Sequence, residues 1–184
     1  MATQTQNQLT PAEQNLADLF ERHVHTEFVD HDPDAAIATM TESPHLVNVP
    51  VLTGGNGRAG VRSFYATEFI PCIPPDTELQ ELSRTFGTER MVIEQIFKFT
   101  HTVEMPWMLP GIAPTGRRVE IPMVLIIHVK DGKIDSEHIF WDQASVLVQL
   151  GLIDASGLPT AGIETARRLL DPSLPADLLT KRAC

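Results

Sequence analysis

Apolar positions in the N-terminal part of the chain recur every three or four residues. Leu16, Leu19, Phe20, Val24 and Phe28 fall on one stripe behind Thr10-Pro11-Ala12-Glu13, which has the form of a capping box with proline at the first helical position. Asp32-Pro33 reads as a second cap, opening a short helix through Ile37 and Met40. "HLVNVPV", His45 to Val51, reads as a short strand and "TGGNGRAG" as a flexible glycine-rich loop. A third helix is expected from about Gly60 to Ile70, with Val61, Phe64, Tyr65 and Phe69 on adjoining turns, stopped by "IPCIPP".

The period then changes to two. Thr77–Gly87, Met91–Val103, Arg118–Lys130 and Lys133–Trp141 all read as strands, and Asp131-Gly132 is a two-residue hairpin turn. After Asp142, "QASVLVQLGL" returns to helical spacing and ends at Gly151. Helices followed by a run of antiparallel strands predict an α+β domain over residues 10–152. Residues 1–9 are expected to be flexible, and 153–184 to form a peripheral tail with one helix near Ile163–Leu170. A curved sheet under a helical cover would leave a concave, mostly apolar pocket.

Composition narrows the partners. The net charge of −10 over 184 residues argues against nucleic acid or an anionic membrane as the main partner. No apolar run approaches the roughly 18 residues needed to span a bilayer. The polar start, MATQTQNQLT, lacks the pattern of a signal peptide, so the expected compartment is the cytoplasm. Two isolated cysteines, Cys72 and Cys184, make neither a disulfide framework nor a zinc site. The histidines show no H-E-x-x-H spacing, and His23 and His25, two apart on a helix, face different ways. No metal and no cofactor are expected.

One strand draws attention. In H-I-F-W-D, alternation puts His138, Phe140 and Asp142 on one face and Ile139 and Trp141 on the other. The first set is read as a pocket row, the second as an outward face apolar enough to take a second copy of the chain. In "MVIEQIFKFTHT" the apolar alternation turns His101 inward with Phe97 and Phe99, and Glu94 outward unless a bulge shifts the register. In "VEIPMVLIIHVK" the apolar odd positions turn Glu120 and His128 to the opposite face. His45 and Asn48 on the short strand, Tyr65 on the third helix, and Trp107 and Met108 as a lid complete the candidate pocket residues. Each has a plainer alternative: a solvated face for Glu94, a core position for Tyr65, loop packing for Trp107 and Met108, and a satisfied strand histidine for His138.

"APTGRRVEIPMVLIIHVKDGKIDSEHIFWDQASVLVQLGL", together with "FKFTHTVEM", resembles the nuclear-transport-factor-2-like superfamily, in particular its SnoaL-like polyketide cyclase branch, over about Leu16 to Leu152. The resemblance implies a cone of three helices packed on a strongly bent antiparallel sheet, usually as a homodimer through the open sheet face. It also implies an acid/base aspartate at Asp142. A carboxylate on an apolar pocket floor loses solvation and gains basicity. The alternative is that Asp142 caps the helix starting at Gln143.

The leading expectation is therefore a cofactor-independent lyase, isomerase or cyclase acting on a small apolar carbonyl compound. Asp142 would be the acid/base, with His138, His101 or Tyr65 steadying the enolate oxygen. A non-catalytic small-molecule binder is the alternative. A limonene-type epoxide hydrolase comes third, because no R-x-D lies on an inward strand.

Overall fold

The computed structural model describes residues 9–183. Most of the N-terminal stretch expected to be flexible, and Cys184, lie outside them. Helix α1 spans Pro11–Phe28. Its capping box forms as the sequence implies, with the Thr10 side chain accepting from the Glu13 backbone and the Glu13 side chain returning to Thr10. Helix α2 (Pro33–Ala38) is capped by Asp32. Strands β1 (Met40–Asn48) and β2 (Thr53–Asn56) come next, then α3 (Gly57–Phe64), which runs into a π-helical turn, Tyr65–Phe69. The glycine-rich stretch is thus a paired strand and a helix start, not a loop. Gly54 has φ +135°, and a Cβ there would lie 2.1 Å from the Leu46 carbonyl oxygen, so only glycine lets β2 close on β1.

Strands β3 (Glu78–Phe86), β4 (Arg90–Thr100), β5 (Arg118–Lys130) and β6 (Lys133–Trp141) follow the expected boundaries to within a few residues. The six strands run in the order β2-β1-β6-β5-β4-β3. All neighbours are antiparallel except β1 and β6, whose parallel pairing sets β1 between β2 and the last strand in sequence. The core lies between the helices and one sheet face. On β5 it takes the odd positions Val119 to Val129, and on β4 it takes Ile93, Phe97 and Phe99. Glu120 and His128 sit on the other face, as the alternation implies.

Of three register shifts in the sheet, two set which side chains of β6 and β3 face the core. In β6, Val129 pairs with Ile134 and His128 with Ser136, so Asp135 is an extra residue. Counting in twos from inward Ile134 would point His138, Phe140 and Asp142 into the core. The extra residue reverses this. Glu137 pairs with Ile127, Ile139 with Leu125 and Trp141 with Met123, all on the core side. The second bulge, between Glu81 and Ser83 on β3, keeps Glu81 and Arg84 facing the cavity.

Helices α4 (Gln143–Gln149) and α5 (Glu164–Leu170) close the chain. β6 ends opposite Met123, and beyond it the Gln149 side chain takes over as partner to the Glu120 backbone, accepting at 2.9 Å and donating at 3.0 Å. Ser145 Oγ donates to the Gly162 carbonyl and ties the tail down, and Ala166 of α5 is fully buried.

Candidate functional site

Helix α1 crosses the sheet with His23 and Glu27 on its buried face, four residues apart and in line with Leu16 and Phe20. Glu137 rises from β6 opposite them, and Tyr65 reaches in from the π-turn. Such turns occur often at functional sites, and this one seats Tyr65 with no solvent exposure. His23 Nε2 lies 3.2 Å from Glu27 Oε1, 3.5 Å from Glu137 Oε1 and 3.0 Å from the Tyr65 hydroxyl, which donates to Glu137 Oε2 at 3.0 Å.

Thr39 Oγ1 lies 2.7 Å from the Ala36 carbonyl and 2.6 Å from His23 Nδ1, an arrangement that suits a hydroxyl donating to the carbonyl and accepting from a protonated Nδ1. Nε2 faces two carboxylates. Burial alone would push the imidazole down. The charges of Glu27 and Glu137 outweigh it and hold His23 well above its usual range, as an imidazolium. Burial raises Glu27, against the pull of His23 and with the push of Glu137. Tyr65 is also held well above its usual range, by burial and then by the two carboxylates.

Glu27, Glu137 and Tyr65 line the inner end of a cavity of about 340 Å³. Phe20, Phe28, Phe64, Phe69, Phe97 and Trp107 supply most of its aromatic wall. Its exposed lining residues, Glu21 and His25 of α1, Val29 just after it, and Leu79 and Glu81 of β3, mark the mouth. Arg84, the one arginine or lysine in the wall, is bound to Glu81 at 2.6 Å and lies 3.4 Å from Glu21. The pocket therefore carries an excess of acid. His23 Nε2 and one oxygen each of Glu27 and Glu137 lie within 4.8 Å of one another and could serve as ligands to a metal ion. The sequence spacing hid this triple, because its third member is a strand away.

The expected pocket row is corrected. Asp142 caps α4, accepting from Ala144 N at 2.9 Å and Ser145 N at 3.3 Å, and is not among the cavity walls. His138 and Phe140 lie on the outer face, Phe140 being 37% exposed. Ile139 and Trp141, named as the motive for a homodimer, point inward. His101 is buried as expected but away from the cavity. Thr115 N donates to its Nδ1, and its main chain bonds Arg117 and Gly116, so it pins the loop before β5. Burial lowers its pKa.

Tyr65, Asn48, Phe97 and Trp107 do line the cavity. Trp107 is a buried wall, packed edge-on against Phe69, Phe97 and Trp141, and not a lid. Met108 and Phe99 are core residues outside the lining. Glu94 lies on the outer face and accepts from Ser83, and His45 is outward beside His138.

His23, Glu27 and Glu137 were missed. Their signal was present in part: His23 and Glu27 continue the spacing 16, 20, 23, 27 of an apolar stripe, and polar residues on such a stripe face the core. Glu137 needed the bulge.

The model of the SnoaL-like domain family matches residues 20–137, and the chain belongs to that family. A protein described as a SnoaL-like polyketide cyclase from Jannaschia sp. CCS1 superposes with a TM-score of 0.60 at 17% identity, over 80% of this chain and 99% of its own. The epoxide hydrolase/cyclase-like enzyme SalBIII, associated with pyran ring formation in the polyether salinomycin, gives 0.55 at 18%, over 72% and 94%. A protein with a ketosteroid-isomerase-like fold from Catenulispora acidiphila DSM 44928 gives 0.57 at 15%, over 82% and 100%. At these identities the structural likenesses show the fold. No curated protein matches the chain.

Proposed function

We propose that the protein is a cofactor-independent acid–base enzyme of the isomerase, lyase or cyclase type, acting on a neutral, largely apolar carbonyl compound. The observation that carries this reading is the convergence of Glu27, Glu137 and Tyr65 at the inner end of an apolar cavity, with the His23 imidazolium behind them. Wall chemistry selects the substrate class: aromatic side chains favour rings and alkyl groups, and the acid excess disfavours anions.

Glu27 is the proposed base. Its raised pKa makes its carboxylate a better proton acceptor than an exposed glutamate, whereas both Glu137 oxygens are engaged by Tyr65 and His23. The carboxylate takes a proton from the carbon next to the carbonyl, and the C–H electron pair moves to the oxygen as an enolate. Tyr65 turns its hydroxyl from Glu137 to that oxygen. His23 touches no substrate. It balances the two carboxylates and is a positioning residue. Return of the proton to another carbon isomerises the substrate. Loss of a β-leaving group eliminates, and attack of the enolate carbon on a second carbonyl closes a ring.

The test begins with a thermal-shift screen of neutral cyclic ketones and hydroxy-ketones, since a ligand of the folded state raises its stability. Turnover of the hits should fall by about 10²–10⁴-fold in Glu27→Gln. Hits that bind but are turned over by neither protein would favour the non-catalytic binder.

A further inference from the structure

We propose that His45 and His138 form a binding site for a divalent transition metal of tetragonal preference, Cu(II) or Ni(II), on the outer face of the sheet and separate from the cavity. His45 lies on β1 and His138 on the neighbouring parallel β6, in the register that pairs Val47 with His138 and His45 with Ser136. Their Nε2 atoms are 2.9 Å apart and their ring centroids 5.1 Å apart.

That separation is ordinary for a hydrogen bond, and it also suits a shared ion. Two imidazole nitrogens each about 2.0–2.1 Å from one ion subtend an angle of about 90° when they are 2.9 Å apart. This is the cis angle of square-planar and tetragonal complexes, the preference of Cu(II) and Ni(II). Tetrahedral Zn(II) would separate them by about 3.3 Å.

The metal-free arrangement also has a spare lone pair. One Nε2 must donate to the other, and among the described residues neither ring has another hydrogen-bond partner. An ion replaces the shared hydrogen when the donor ring moves its proton to Nδ1, with no net proton loss. Nearby on the same face, His128 is turned instead to Asp135 at 3.5 Å and Glu89 at 3.9 Å, so it serves as a neighbouring control. Two protein ligands leave the other coordination positions to water or to a group from outside the chain.

The consequence is a clip across the parallel β1–β6 pair, whose opposite face carries Leu46, Asn48, Glu137 and Ile139 of the cavity wall. The test uses the full-length protein and Cu(II) as probe. Titration with electron paramagnetic resonance should show one ion per chain with two nitrogen ligands, and a melting temperature that rises with Cu(II) and returns on chelation. His45→Ala and His138→Ala should each lose the signal and the shift, while His128→Ala keeps both. Circular dichroism of each variant without metal checks that it folds. Persistence of the two-nitrogen signal in both single variants would overturn the site. So would a sulfur-to-copper charge-transfer band, which would put the ion on a cysteine, or the absence of a bound ion at one equivalent.

Discussion

Glu27 occupies a position that helix geometry alone would give to a leucine. It falls on the buried stripe of α1, and a carboxylate there persists because His23, one turn earlier, meets it at 3.2 Å. The stripe was legible in the sequence, and the two polar residues on it were the readable sign of a built site. Asp142 is the opposite case. Its position at the end of a strand before a helix fits both an acid/base and a cap, and local sequence cannot separate them, because the difference is the direction of the side chain. The cap is what forms. Asn caps nearly as well as Asp, so Asp142→Asn should change stability by a few tenths of a kcal/mol at most, whereas Asp142→Ala should cost about 1 kcal/mol. Urea unfolding of the two variants checks this.

Elements were easier to read than faces. Helices α1 and α2 and strands β3 to β6 follow from period and caps, which are local properties. The orientation of β6 does not, because one extra residue, Asp135, decides which set of alternate side chains faces the cavity. That residue is held by the Thr41 hydroxyl at 2.9 Å and by His128, contacts that come from other strands and leave no trace in the local pattern. The β1–β2 corner was missed for a similar reason. Its glycines read as flexibility, yet they serve close approach. A Cβ on Gly55 would lie 2.5 Å from the Gly60 backbone, and Gly54 holds a φ that side chains rarely adopt. Gly54→Ala should therefore destabilise by on the order of 1–3 kcal/mol, read as a fall in the urea midpoint. A loss of no more than a few tenths would mean that the corner gives way easily.

At the scale of the molecule, the buried cluster couples stability to pH. The folded protein holds a proton on His23 that the unfolded chain releases near pH 6.5. This contribution is complete below about pH 6.5 and is lost as pH rises through the higher folded value. Glu27, raised on folding, acts in the same direction from its ordinary carboxyl range upward. Stability should thus decline from neutral to alkaline pH, by at most about 1.4 kcal/mol per pH unit for each proton involved. The chain's net charge of −10 also favours unfolding at high pH, so the comparison that isolates the cluster is with His23→Gln. The variant's midpoint should vary less steeply over the same interval, and equal slopes would remove His23 from the account.

The same cluster is the heart of the functional reading, and proton exchange at carbon reads it without knowledge of the full reaction. Cyclic ketones that shift the melting temperature are incubated with the protein in D₂O, and deuterium entry next to the carbonyl is followed by proton NMR. Wild-type protein should speed exchange well above the buffer rate. Glu27→Gln should bring it down by about 10²–10⁴-fold or to the buffer rate, with the ketone still bound, and Asp142→Asn should leave it near the wild-type rate. Exchange at equal rates in wild type and Glu27→Gln, or exchange abolished by Asp142→Asn alone, would contradict the assignment of Glu27 as the base.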